Sequence, residues 1–184
     1  MIRKLSFFAT CSLLITLVPA LPAHAKSCPS AALGGAPVGW VELDGVSVPV
    51  KAVNYPAGGQ FDPPASNQVV GLSARHRPLL SKQGTTVLSW HVRYGVGCDG
   101  LLNPLMTKPL GSTFVVKNIK GQAETYKIFN RVTVAKGAYR PEWFQLDGDP
   151  RIALFTCTDL RQGKYRKTMG IFAKPISSES VATS

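Results

Sequence analysis

The sequence predicts an all-β domain, a barrel or a sandwich. Three observations carry this reading. Apolar and β-branched runs of strand length recur along the chain, Gly-, Asp- and Pro-bearing turn signals separate them, and little of the chain keeps apolar residues at helical spacing. With 184 residues the chain has room for one such domain and not comfortably for two.

The chain opens on the short basic stretch Met1-Ile2-Arg3-Lys4, followed by a mostly apolar, uncharged stretch over residues 5–21 and by Ala23-His24-Ala25. This is the order of a secretory signal peptide with a small-x-small cleavage site. An uncleaved membrane anchor is the rival reading, because the apolar stretch is near the minimum span. Pro19 and Pro22 break its end, which favours cleavage after Ala25. Residues 1–25 are therefore assigned as signal peptide or N-terminal anchor. The chain is expected outside the cytoplasm, at the cell surface or secreted. Ala25-Lys26-Ser27-Cys28 lacks the residues of a lipobox.

Residues 26–45 form a lead-in, small and Pro/Gly-rich at first. Trp40-Val41-Glu42-Leu43 and the run from Val46 to Val53 flank Asp44-Gly45, a strong hairpin signal. Residues 46–176 make up the main domain. Within it, residues 57–67 read as loop, with Gly58-Gly59 and Pro63-Pro64, and 67–72 as one short helical turn. Residues 85–92 read as a buried strand ending at His91. Residues 94–100 are a Gly-rich loop holding Cys98, and 101–106 a short helix. Two strands, 112–119 and 123–134, flank Lys120-Gly121. A long loop over 137–149 carries Trp143 and Phe144. Residues 151–157 are a strand, 158–164 a loop and 165–174 the last strand; 177–184 are a disordered tail.

The formal charge is +11, from 21 Lys and Arg against 10 Asp and Glu. On an exported protein this suits contact with anionic wall polymers or lipid headgroups at a membrane surface. Nucleic acid is not an expected partner, because the basic residues are dispersed rather than clustered with aromatics. No Gly-rich phosphate loop is present. No metal site and no cofactor are expected, since neither paired CxxC nor clustered carboxylates occur. Asp44, Asp99 and Asp147 read as turn residues, and His76, between Arg75 and Arg77, as a surface residue.

Past Cys11, in the leader, the chain keeps Cys28, Cys98 and Cys157, an odd number for an oxidising compartment. The simple solution is a Cys28–Cys98 disulfide with Cys157 free. A leftover thiol is either buried and inert or kept for reaction. The context of Cys157 favours reaction. It ends the apolar run Ile152-Ala153-Leu154-Phe155-Thr156, and His91 ends a similar run about 65 residues earlier. Arg161 and Arg166 lie near the start of the last strand. A thiol, an imidazole and a guanidinium are the parts of a cysteine acyl-transfer site.

The order and spacing resemble the sortase family, over roughly residues 46–175. Thr85-Thr86-Val87-Leu88-Ser89-Trp90-His91 is similar to the approach to the family's catalytic histidine, and Leu154-Phe155-Thr156-Cys157 to its L-x-T-C signature. The likeness is to the small class E/F group. It implies an eight-stranded β-barrel with a few short helices. It also implies a transpeptidase that cleaves a C-terminal LPxTG-like sorting motif of exported proteins. The acyl group would pass from Cys157 to an amine of cell wall or protein. Its catalytic residues would be Cys157, His91 and Arg166, with Arg161 as the alternative arginine. Two departures stand out. Trp90 occupies a place usually small, and the slot expected for the arginine holds Thr168, with Arg166 two residues earlier on the same side of the strand. These keep two further readings open: a hydrolytic cysteine protease with the same site, and a degenerate sortase-fold binding protein.

Overall fold

The computed structural model describes residue 28 and residues 35–55, 62–138 and 140–176. The expected signal peptide and C-terminal tail lie outside the described residues. The strands are β1 Gly39–Leu43, β2 Val46–Val53, β3 Val70–Ser73, β4 Thr85–Ser89, β5 Thr113–Asn118, β6 Ala123–Ala135, β7 Arg151–Arg161 and β8 Lys164–Pro175. They close into a barrel in the order β1-β2-β3-β4-β7-β8-β6-β5, with β1 paired to β5. The expected eight-stranded all-β barrel is the observed one. Short 3₁₀ turns at Asn103–Met106 and Pro141–Trp143 are the helical elements among the described residues, and none is long and apolar enough to cross a membrane.

Most neighbours in the barrel are antiparallel, but β2–β3 and β4–β7 are parallel. Two tight hairpins set the antiparallel registers. Asp44-Gly45 has φ values of 51° and 80°, and Gln162-Gly163 has 49° and 73°. Paired left-handed residues are what a two-residue turn matching the strand twist requires.

Alternation sorts the side chains. Val41, Val48, Val50, Leu88, Trp90, Ile152, Leu154 and Ile171 fill the barrel. Val87, Ala153, Phe155 and Phe172 point the other way and are covered by Trp143, with Phe144, Val132 and Val134 at the edge. The loop carrying Trp143 therefore roofs an apolar strip on the outer face of β7 and β8. The Trp143 and Phe155 rings pack in a tilted pair with centroids 5.6 Å apart.

Four sequence expectations are corrected. Residues 70–73 are a strand, not a helical turn. Val70, Gly71, Leu72 and Ser73 are all buried, so no alternation marks them as β. The stretch 158–164 is not a loop: β7 continues through Arg161 and only Gln162-Gly163 turns. Its polar residues belong to a hairpin extension that faces solvent. Strand β4 stops at Ser89 rather than reaching Val92. The lead-in contains β1, which the ladder to β5 makes part of the barrel.

Trp90 is 2% exposed. Its indole N–H donates to Asn103 Oδ1 at 3.2 Å. Trp90→Ala removes the bulk of a core aromatic, and an unfolding titration in urea should show a loss of about 3–5 kcal/mol. A loss under 1 kcal/mol would contradict the inward placement.

Candidate active site

The same alternation that buries Trp90 turns His91 outward. On β7, Ile152 and Leu154 lie in the barrel core, so Ala153, Phe155 and Cys157 face out. The parallel register runs from Thr85↔Arg151 to Ser89↔Phe155. Past the end of β4 two hydrogen bonds extend it. The Trp90 N–H donates to the Phe155 carbonyl at 3.1 Å, and the Thr156 hydroxyl donates to the Trp90 carbonyl at 2.8 Å. The next positions are His91 and Cys157, on chain segments whose strands lie about 4.8 Å apart. Both side chains are half-buried. Cys157 is a free thiol, and Cys28 and Cys98 are joined in a disulfide.

The row continues across the sheet. Cys157 pairs with Thr168 on β8, and Thr168 with Val134 on β6. Thr168, which fills the slot expected for an arginine, is thus the direct neighbour of the thiol. Arg166 lies two residues further along β8 on the same face and is exposed. Its carbonyl accepts the Lys136 N–H at 2.9 Å. Arg161 is engaged elsewhere. Its Nε donates to Asp159 Oδ1 at 2.8 Å, and its side chain is 69% exposed.

The loop after His91 is pinned on several sides. Asn103 Nδ2 donates to the Val92 carbonyl at 2.8 Å, and the Gly100 N–H donates to the same carbonyl at 2.7 Å. The disulfide fixes Cys98 in the same loop. A Cβ on Gly100 would overlap the His91 carbonyl oxygen. The absence of a side chain there is what lets the chain carrying His91 pass.

Two residues that the sequence reading did not single out bear on the pair. The His91 ring donates to the Pro63 backbone carbonyl, which fixes a proton on that ring nitrogen. Asp62 and Lys136 both act on His91 and on Cys157. Burial pulls the imidazole below its ordinary range, against the Pro63 hydrogen bond and the Asp62 carboxylate, which favour the cation. Burial likewise pushes the thiol up, opposed first by the Lys136 ammonium. The resting pair is therefore thiol and neutral imidazole, and a thiolate requires a proton to move. No sequence signal pointed to Asp62 or Lys136: one precedes Pro-Pro in a loop, and the other begins a turn.

Among the described residues no group of three or more His, Cys, Asp or Glu side chains could hold a metal ion. A cleft of about 190 Å³ on the outer face, lined by Phe129, Trp143, Arg151 and Phe172, has neither Cys157 nor His91 in its wall.

Two outcomes follow. Gly100→Ala should displace His91 and lower its coupling to Cys157, read as a fall of about 10-fold or more in any Cys157-dependent activity while the melting temperature stays within a few degrees. Alkylation of Cys157 by iodoacetamide needs the thiolate. Its rate should keep rising with pH through the ordinary thiol value of about 8.5. A plateau reached below pH 7 would show a preformed ion pair and contradict the burial argument.

Comparison of the sequence with protein-family models and with curated proteins finds no match. Comparison of the fold with solved structures finds sortases. Streptococcus agalactiae sortase C1 aligns with a TM-score of 0.61 at 18% identity, over 79% of this chain and 70% of that one. Group B Streptococcus pilus island 1 sortase C2 aligns at 0.59 and 22%, over 76% and 74%. Streptococcus suis sortase C1 aligns at 0.59 and 20%, over 78% and 75%. These neighbours are C-type sortases, so they do not show the class E/F subtype expected from the sequence. The barrel of this chain has the sortase fold.

Proposed function

We propose that this chain is a sortase-type cysteine transpeptidase with Cys157 as nucleophile and His91 as acid and base. The observation that supports the reading is the β4–β7 register, whose continuation past Ser89 and Phe155 brings His91 level with Cys157 on the outer face of a barrel with the sortase fold. Both residues keep partial access to solvent, and the fold's neighbours are sortases.

The proposed course begins with transfer of the Cys157 proton to His91. The thiolate attacks the carbonyl carbon of the threonine in an LPxTG-like sorting motif. The tetrahedral oxyanion collapses with cleavage of the C–N bond, and the imidazolium protonates the departing glycine amine. A thioester remains on Cys157. An amine of cell wall or protein then attacks it, His91 takes the amine proton, and the thiol is restored with an amide as product. Arg166, exposed two residues from Thr168, is the arginine best placed to meet the substrate backbone; Arg161 is held by Asp159. The substrates would be exported proteins, met outside the cytoplasm, which fits the leader-like N-terminus and the basic charge.

Trp90 bears on the binding-protein reading. Its side chain lies in the barrel core rather than in the site, so it leaves the face beside His91 open to a peptide.

The test is mass spectrometry of residues 26–184 with an LPxTG-type peptide library and triglycine, beside Cys157→Ala and His91→Ala. A Cys157-dependent thioester and an amine-ligated product are expected. Cys157→Ala should abolish both, and His91→Ala should reduce turnover by about 10²–10⁴-fold. Hydrolysed peptide alone would move the reading to a protease. No adduct with a folded, alkylatable wild type would defeat the enzyme reading.

A further inference from the structure

The site needs a positive charge near the sulfur and near the oxyanion that forms beside it. Thr168, directly across from Cys157, cannot supply one. Arg166 is the diagonal neighbour, but the ladder between β7 and β8 passes from Thr158↔Lys167 to Leu160↔Tyr165 with Asp159, at a φ of 60°, between them. Arg166 and Lys136 stand at the same level past Thr168, and both side chains are exposed.

Strand β6 offers another route. Val134 is the next member of the His91–Cys157–Thr168 row, and Ala135 pairs with Lys167. Lys136 follows, tied to β8 by its N–H on the Arg166 carbonyl at 2.9 Å. Alternation gives Lys136 the same outward side as Val134. Two strand spacings, roughly 10 Å, separate β6 from β7. The short Thr168 side chain leaves the space above β8 clear, and the flexible four-carbon lysine stem can lean across it.

We propose that Lys136, reaching over Thr168 from the neighbouring strand, is the cation that faces the Cys157 sulfur and the oxyanion formed beside it. Its meaning for catalysis rests on the transpeptidase reading, but its action on the sulfur can be measured without turnover.

The surrounding charges are arranged in keeping with this. Asp62, from the segment before β3, and Lys136, after β6, act on both members of the pair. Lys136 is the leading charge on Cys157, and Asp62 the leading charge on His91. An anion weighted toward the imidazole and a cation weighted toward the thiol both favour moving the proton from sulfur to nitrogen. On β7 itself Asp159 is occupied by Arg161 and Lys167, and on β8 Arg166 is exposed, as Lys136 is. In the attack step the charge that leaves sulfur arrives on the carbonyl oxygen a bond away, so one ammonium can attend both.

The experiment is the rate of Cys157 alkylation by iodoacetamide from pH 6 to 10.5, on the disulfide-intact protein. Wild type is compared with Lys136→Met, Lys136→Arg and Arg166→Met, each with a circular dichroism melt. Lys136→Met should raise the alkylation midpoint by about half a unit to one unit, a three- to tenfold slower reaction at pH 7.5. Lys136→Arg should restore it, and Arg166→Met should leave it in place. If wild type also transpeptidates, Lys136→Met should cost about 10²-fold in kcat/KM and Lys136→Arg should recover part of that. An unmoved midpoint in Lys136→Met, or an equal shift in Arg166→Met, would overturn the proposal. Absence of turnover in wild type with the expected midpoint shift would instead remove the transpeptidase reading and leave the Lys136–Cys157 interaction standing.

Discussion

The parallel pairing of β4 with β7 is the constraint on which the rest depends. The two strands belong to distant parts of the chain, and their register decides which side of the barrel each residue occupies. A slip by one residue would send every side chain to the opposite face. Trp90 would leave the core, and His91 would enter it. Two hydrogen bonds guard against this at the point where the regular ladder ends: Trp90 N–H to the Phe155 carbonyl, and the Thr156 hydroxyl to the Trp90 carbonyl. The Thr156 oxygen takes the place of a backbone partner for a carbonyl that is buried with its residue. The buried Trp90 ring then adds its hydrogen bond to Asn103, and Asn103 in turn holds the Val92 carbonyl. Core packing and site geometry are therefore one arrangement seen from two sides of the sheet.

Burial works against the chemistry and the local charges work for it. The apolar strip under Trp143 and Phe144 ends at Phe155, two residues before Cys157. The thiol and the imidazole beyond it are both half-buried, which favours their neutral forms. That cost is useful in an acyl-transfer site. Water is a competing nucleophile, and charges act more strongly where water is scarce. On the thiol Lys136 opposes the burial and Asp62 adds to it; on the imidazole Asp62 opposes it and Lys136 adds to it.

The fold was legible where sequence signals are local. The turns at Asp44-Gly45 and Lys120-Gly121, the apolar runs that became β4 and β7, and the cysteine parity all show in the residues themselves. The strand β3 was not legible, because a four-residue strand buried on both faces carries no alternation. The extension of β7 to Arg161 was missed because its residues are polar. They pair along a hairpin arm that needs no buried face. Trp90 departs from the pattern beside the histidine, and its large apolar ring is that of a barrel-packing residue, as observed. Beside a histidine it looks like a bulky intruder, yet neighbours along a strand point to opposite sides, and adjacency in sequence means separation in the fold.

The cation question shows the limit of reading one strand at a time. Counting along β8 finds Thr168 where an arginine was expected and turns to Arg166, because that residue shares its side. The count is sound: Thr168 does pair with Cys157. What it cannot see is the row that runs across the strands. In a barrel, the residues that surround a side chain come from two neighbouring strands as well as its own. Here Val134 of β6 joins the row through Thr168, and this link between residues more than thirty positions apart exists only once β6 and β8 have paired. The requirement at the sulfur is for a charge at a point in space, not for a residue type at a count along one chain segment. A short residue on the near strand and a long basic one on the next can meet it together. That is why Thr168 by itself does not mark the site as degraded.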